Sequence, residues 1–244
     1  MILSVVIPVY NEKGTLEELL RRVAAVPIPK QVVLVDDCST DGTRERLHAL
    51  AEGWKTRGPA ALGLAALAAP MELTFAWHEK NAGKGAAVRT GIARTTGGIV
   101  IVQDADLEYD PADYPALVAP IEGGAADVVY GSRHLKGDLQ KGYFSNYFGN
   151  RFLTFVSNRF TGLGLTDMET CYKTMRGEIA RGITLRSNRF GFDPEITAKI
   201  ARGKHRVVEV PVSYVGRTFE EGKKIRWQDG FTVVRAIVRY AFFD

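Results

Sequence analysis

Short, almost uninterrupted apolar runs alternate with amphipathic stretches along the first 130 residues. ILSVVIP, QVVLVDD, ELTFAWH, GIVIVQD and DVVYG are rich in β-branched residues and have strand length. Such continuous apolarity suits strands covered on both faces. Between them, TLEELLRRVAAV, TRERLHALA, GKGAAVRTGIARTT and PADYPALVAPIE have helical patterning. Thr15 followed by Glu18 predicts a capping box, and Pro111 suits the first turn of its helix. Strand and helix in alternation predict an α/β fold with a mostly parallel sheet wrapped by helices. An Ala/Gly-rich insert bounded by prolines, residues 58 to 70, reads as a short surface helix or loose loop.

From Gly131 the alternation fails. An aromatic-rich helical stretch (143 to 162), a short apolar stretch, a helix near 193 to 202, the strand RVVEVPVSYV and an amphipathic helix near 228 to 243 follow. This half is expected to cover the sheet. No repeat of solenoid period is present.

At 244 residues, 45% hydrophobic and 25% charged, the chain has ordinary globular composition and room for one large domain. Cys38 and Cys171 form neither a metal knuckle nor a disulfide framework, so a reducing compartment is expected. The N-terminal MILSVVIPVYNE reads as a strand and not a signal peptide, and no apolar run approaches the length of a membrane span. The net charge of +4 is too small to imply nucleic acid, but its distribution is uneven. Residues 199 to 244 carry net +5 and residues 133 to 159 net +4, a late positive field suited to an anionic partner.

Candidate chemistry gathers where strands end, the edge at which open α/β sheets bind ligands. Asp36 and Asp37 follow one apolar run, and Asp104, Asp106 and Glu108 follow another. A DxD after a buried strand can converge on one hard cation; alone, it is as well explained by a helix cap and a solvated partner. Two such acidic sites favour metal plus nucleotide. There is no GxxxxGK[ST] loop and no GxGxxG after the first strand. Gly83-Lys84-Gly85, opening a helix, either presents amides and an ammonium to an anion or is a plain turn. His48, His78, His134 and His205 lie without ligand spacing.

In their order, VIPVYNE, VDDCSTDGT, NAGKGAAVRTG, DADLE, GSR and GRTFEEGKK make the chain resemble inverting GT-A-fold glycosyltransferases. The branch is that of dolichyl-phosphate mannose synthase and the bacterial polyprenyl-phosphate glycosyltransferases. The resemblance runs from Ile2 to about Gly230 and implies one GT-A, Rossmann-like nucleotide-diphospho-sugar transferase domain. Within it, 1–130 would bind nucleotide sugar and metal, 131–230 would form the acceptor side and a basic lid, and 231–244 would be a C-terminal amphipathic helix. The resemblance implies that Pro8, Tyr10, Glu12, Val35 and Asp37 meet the nucleoside. It implies that Asp104, Ala105 and Asp106 meet ribose and diphosphate, and that Mg²⁺ or Mn²⁺ sits on Asp106 with Asp104 or Glu108. Glu108 stands where relatives often carry Gln or Ser. Arg133 would lie beside the reacting phosphates, and Arg217 and Lys223 would clamp the diphosphate from a late loop. The family's second acceptor arginine has no evident match, and Arg151 is assigned that role.

The acceptor decides whether a base is needed. A sugar hydroxyl would call for one, with Asp193 or Glu195 of GFDPE as candidates. A lipid monophosphate, with a second pKa of about 6, arrives anionic and needs positive charge instead. The basic surplus after Arg133 fits the second case. Residues 143 to 160 hold seven of the chain's aromatics, with Phe144, Phe148, Phe152 and Phe160 in an i, i+4 series interrupted by Val156 and interleaved with Arg151 and Arg159. That pattern suits either core packing or an interfacial helix on lipid headgroups, and FTVVRAIVRYAFF offers a second such surface.

The expected function is therefore metal-dependent, inverting transfer of a hexose, of GDP-mannose or UDP-glucose type, to a polyprenyl or dolichyl phosphate. The expected place is the cytoplasmic face of a membrane, with the protein peripheral to it. Expected partners are the nucleotide sugar, the lipid phosphate and the membrane surface, with a membrane-protein partner left open and no nucleic acid. The alternatives are the same donor chemistry with a hydroxyl acceptor, and a nucleotide-binding membrane-docking module without activity.

Overall fold

The computed structural model describes residues 1–135, 144–189, 191–217 and 229–243. The five apolar runs form β1 (Leu3–Val9), β2 (Lys30–Asp36), β3 (Met71–Trp77), β4 (Ile99–Val102) and β5 (Val128–Ser132). The interleaved amphipathic stretches form α1 (Leu16–Ala25), α2 (Thr43–Arg57), α3 (Lys84–Ile92) and α4 (Tyr114–Glu122). Among the described residues the later half adds α5 (Phe144–Thr161), β6 (Lys173–Arg176), α6 (Gly177–Gly182), α7 (Phe192–Arg202), β7 (Val207–Pro211) and α8 (Asp229–Phe242).

The seven strands make one sheet in the order β3-β2-β1-β4-β6-β5-β7. β1, β2, β3 and β4 pair in parallel, as do β5 and β7, while β6 runs antiparallel to both its neighbours. Every residue of β2, β4 and β5 is buried, as continuous apolar runs require. The late half was expected to lie over the sheet; instead it supplies two of its strands. Parallel pairing sends β1, β2, β4, β5 and β7 to one carboxyl edge, and the antiparallel β6 begins there. The loops at 10–15, 37–42, 103–113, 133–135 and 212–217 therefore meet the 166–172 segment that enters β6.

Two local expectations change, and the short helix expected of the insert takes 3₁₀ form. The capping box does not form: Thr15 donates to Glu12 Oε2 at 2.8 Å, and Glu18 pairs with Arg22 at 3.0 Å. Pro111 opens a 3₁₀ turn, Pro111–Asp113, ahead of α4, capped by Asp110. The insert begins as a 3₁₀ turn, Gly58–Leu62, whose Leu62 is buried and whose carbonyl accepts from Arg21.

Helix α5 packs against α7 and α8, with Thr154 and Ser157 buried. Phe148, Phe152 and Phe155 face outward at 64%, 59% and 70% exposure, flanked by exposed Arg151 and Arg159. This reverses the usual distribution for a helix on a core. Phe160 stacks edge-on against Phe242 of α8, which lies beside exposed Phe243. Val233, Ala236, Ile237 and Tyr240 bury the other side of α8. Among the described residues no helix is long and apolar enough to cross a membrane.

Candidate active site

The turn after β4 is held from beneath. Buried Gln103 accepts hydrogen bonds from Tyr114 and Tyr172, each at 2.8 Å, and its own amide donates to the Asp104 carbonyl at 3.0 Å. The Asp104 amide donates to Cys171 Sγ at 3.0 Å, and Lys84 reaches the Asp104 carboxylate at 2.8 Å. Leu107 takes a left-handed φ of 63°, tightening the turn so that the Glu108 amide donates to Asp106 at 3.1 Å. Arg217 bridges the loops: it meets Glu12 through both terminal nitrogens, each at 3.2 Å, and Asp106 Oδ2 at 3.2 Å.

These contacts separate the carboxylates chemically. Burial works to raise Asp104, but the Lys84 ammonium and further hydrogen bonds carry it below the usual range. Burial, followed by the charges of Asp104 and Glu108, pushes Asp106 up to about 7 despite Arg217. Glu108 turns away, accepting from Tyr214 Oη at 3.0 Å and the Arg217 amide at 2.8 Å. Among the described residues no three His, Cys, Asp or Glu side chains converge as a metal-holding group. Of the two partners expected for Asp106, Glu108 instead fastens the 214–217 segment. Asp106 with Asp104 still fits a hard divalent cation: both offer oxygen donors, such ions commonly use one or two carboxylates plus phosphates, and Asp106 carries a charge its burial disfavours.

At the nucleoside end, the β1–β2 register sets Pro8 beside Val35. Val35, the next-to-last residue of β2, buries its side chain against Val33, Ala76 and Ala87. The first two loops are zipped together. Asn11 receives a hydrogen bond from Thr40 at 2.8 Å and donates its amide to Ser39 at 3.0 Å, while the Glu12 amide donates to Thr43 at 3.0 Å. Asp37 accepts from the amides of Ala82 and Gly83 at 2.9 and 2.7 Å and meets His78 Nδ1 at 2.7 Å, so it organises the loop ahead of α3. His78 also meets Thr90 at 2.9 Å, a structural role that its isolated position in the sequence conceals. Ala105 is buried beneath the turn and Tyr10 is half-buried at the edge.

The Gly83-Lys84-Gly85 turn is occupied by protein. The Asn188 carbonyl accepts from the Ala86 amide at 3.1 Å, filling the helix terminus that an anion would use. A Cβ at Gly83 or Gly85 would run into the Asn188 or Ser187 carbonyl oxygen, so both glycines permit the 185–189 segment to lie on α3. That segment is fixed in turn by Glu195, which accepts from the amides of Arg186 and Ser187 at 2.7 and 2.6 Å and from Lys199 at 2.8 Å. Burial would raise Glu195, but Lys199 and the two amides hold it below its usual value. Asp193 is bound at 2.5 Å to fully buried Lys173. Both candidate bases are therefore engaged in buried ion pairs, against the hydroxyl-acceptor expectation.

On the acceptor side, Arg133 makes a two-pronged pair with buried Asp167, with both contacts at 2.7 Å, and lies 5.1 Å from the centre of the Tyr214 ring. Arg151 reaches the adjacent Thr166 carbonyl at 3.3 Å, so the two expected acceptor arginines meet around one turn. Glu209 of β7 holds that turn through the amides of Thr166 and Asp167. Lys223 lies outside the described residues. Sequence reasoning missed Asp167, Glu169 and Lys173; their signal was a dense set of charged residues running directly into a strand in TDMETCYKTM.

Residues 4–184 match the family described as Glycosyl transferase family 2. The undecaprenyl-phosphate 4-deoxy-4-formamido-L-arabinose transferase of Edwardsiella ictaluri is 32% identical over 224 residues, covering 90% of this chain and 62% of that protein. The dodecaprenyl-phosphate galacturonate synthase of Rhizobium johnstonii is 29% identical over 246 residues, covering 99% of this chain and 67% of that protein. The chain thus spans about two thirds of the length of these relatives. The fold is similar to glucosyl-3-phosphoglycerate synthase from Mycobacterium tuberculosis, solved with Mn²⁺, UDP and glucosyl-3-phosphoglycerate. The TM-score is 0.68 at 17% identity, over 99% of this chain and 80% of that one. The domain has the expected GT-A architecture, and the chain belongs to glycosyl transferase family 2.

Proposed function

We propose that the chain transfers a sugar from a nucleotide sugar to a polyprenyl phosphate, with inversion, at the cytoplasmic face of a membrane. The observation that carries this reading is the commitment of Asp193 and Glu195 to Lys173 and Lys199 beside an acceptor side furnished with Arg133 and Arg151. Such a site is equipped for an acceptor that arrives charged, and neither Asp193 nor Glu195 is poised as a base for a hydroxyl. The polyprenyl phosphates in the names of both relatives agree with it. A hexose is the expected sugar, and the arabinose derivative and galacturonate of those names extend the class to be tested.

An acceptor phosphate oxygen attacks the anomeric carbon as the bond to the donor diphosphate breaks, and the electron pair leaves with the nucleoside diphosphate. Asp106 and Asp104 would hold a divalent cation, which would supply charge neutralisation for that departing diphosphate. Pro8, Tyr10, the Val35 backbone and the loop organised by Asp37 receive the nucleoside, and Glu12 the ribose. Arg217 exchanges its carboxylate contacts for the diphosphate, to which Lys223 adds a second positive charge. Arg133, held rigid by Asp167, steers the acceptor phosphate toward the sugar. The outward phenylalanines of α5, with Arg151 and Arg159 beside them, seat this side on anionic headgroups.

Incubating the purified chain with labelled UDP- and GDP-sugars, Mn²⁺ and short polyprenyl phosphates tests the reading. A metal-dependent lipid-linked product is expected. Donor binding without transfer to any lipid phosphate would overturn it and favour a binding module.

A further inference from the structure

Glu169 sits mid-way along the segment that crosses the carboxyl edge before β6. Two residues earlier, Asp167 grips Arg133; two residues later, Cys171 accepts from the Asp104 amide. Lys173, four residues further on and the first residue of β6, pairs with Asp193. Glu169 as a whole keeps partial exposure, yet its Oε1 is buried and has no hydrogen-bond partner among the described residues. A buried polar atom without a hydrogen bond is costly, so such an atom on this segment calls for a ligand group.

Its surroundings indicate which group. In the proposed reaction the donor diphosphate lies at Asp104 and Asp106 and the acceptor phosphate at Arg133. A direct displacement holds the transferred sugar between those two anions. Glu169 belongs to the segment joining the two ends. Burial, then the nearby Asp193 charge, pushes its carboxyl up to about 8 against the pull of Lys173 and Arg133. At neutral pH it is therefore mainly neutral, able both to donate and to accept, which matches a hydroxyl or amide on a sugar ring.

We propose that Glu169 is a specificity-determining residue that binds a hydroxyl or amide of the transferred sugar through its Oε1. This rests on the glycosyl-transfer reading above. Calorimetry in Mn²⁺ with UDP, GDP, UDP-glucose, UDP-galacturonic acid and GDP-mannose tests it on wild type, Glu169→Gln and Glu169→Ala. Glu169→Ala is expected to bind the nucleoside diphosphate within twofold of wild type but the matching nucleotide sugar about tenfold more weakly. Glu169→Gln, whose amide also donates and accepts, should fall between them. Equal weakening of both ligands in both variants would reveal a structural role and overturn the proposal, as would an unchanged affinity for the nucleotide sugar. Absence of binding by the wild type to every nucleotide would instead remove the glycosyl-transfer reading itself, and this inference with it.

Discussion

Replacing Glu195 separates a strut from a base. Its carboxylate ties down two backbone amides of the 185–189 segment and pairs with Lys199, whose side chain is only 7% exposed. Removing one member of a buried ion pair costs about 3–5 kcal/mol, and the two charge-assisted amide contacts belong to the same loss. For Glu195→Ala we take about 4 kcal/mol. In a domain of this size, 1 kcal/mol moves the melting temperature by about 2–4 °C, so a fall of roughly 10 °C is expected by calorimetry. Glu195→Gln keeps one accepting oxygen and should lose about half as much. The pH dependence has a definite sign. The folded carboxyl is held below its ordinary value of 4.5, so its contribution is fully present above that pH and disappears as pH falls through the folded value. The gap between wild type and Glu195→Gln should therefore close in acid. A Glu195→Gln protein that melts within about 1 °C of wild type while transfer falls a hundredfold would refute the strut and restore Glu195 as a base.

The remaining predictions concern the metal, the glycine turn and the membrane. Because Asp106 is pushed up to about 7, Mn²⁺ affinity measured by titration should weaken about tenfold per pH unit below that value and level off above it; a flat profile from pH 5.5 to 8 would contradict the assignment. Gly85→Ala drives a Cβ into the Ser187 carbonyl, and a loss of about 3 kcal/mol should appear as a melting temperature lowered by roughly 8 °C. Replacing Phe148, Phe152 and Phe155 together with Ser should leave melting unchanged but weaken sedimentation with phosphatidylglycerol vesicles at least about a hundredfold. Unchanged vesicle binding would exclude that face as the docking surface.

Much of the first 130 residues was legible because a buried parallel strand has to be apolar along its length and the carboxylates follow immediately after it. β4 and the Asp104–Asp106 turn are the clearest case. β6 was less visible, since its LysThrMetArg run hides a buried lysine whose burial depends on Asp193, twenty residues away. The same distance effect misled the reading of particular groups. Glu195 looks like a base until Lys199 and the 185–189 amides are in place, and Gly83-Lys84-Gly85 looks like an anion cradle until Asn188 fills it. Thr15 and Glu18 have capping-box spacing, but Glu12 competes for the threonine hydroxyl and Arg22 for the glutamate. The aromatic series of α5 fitted core and interface equally well until the burial of Thr154 and Ser157 fixed which side faces out.

The central claim is that the acceptor supplies its own negative charge and that neither Asp193 nor Glu195 serves as a base. Its most direct measurement compares single-turnover transfer, from the same labelled nucleotide sugar, to a polyprenyl phosphate and to the corresponding polyprenol. Product on the phosphate alone, of inverted anomeric configuration and still formed by Asp193→Asn, is predicted. Efficient glycosylation of the polyprenol, or of any other hydroxyl, in a reaction that Asp193→Asn or Glu195→Gln abolishes without loss of folding, would contradict the account.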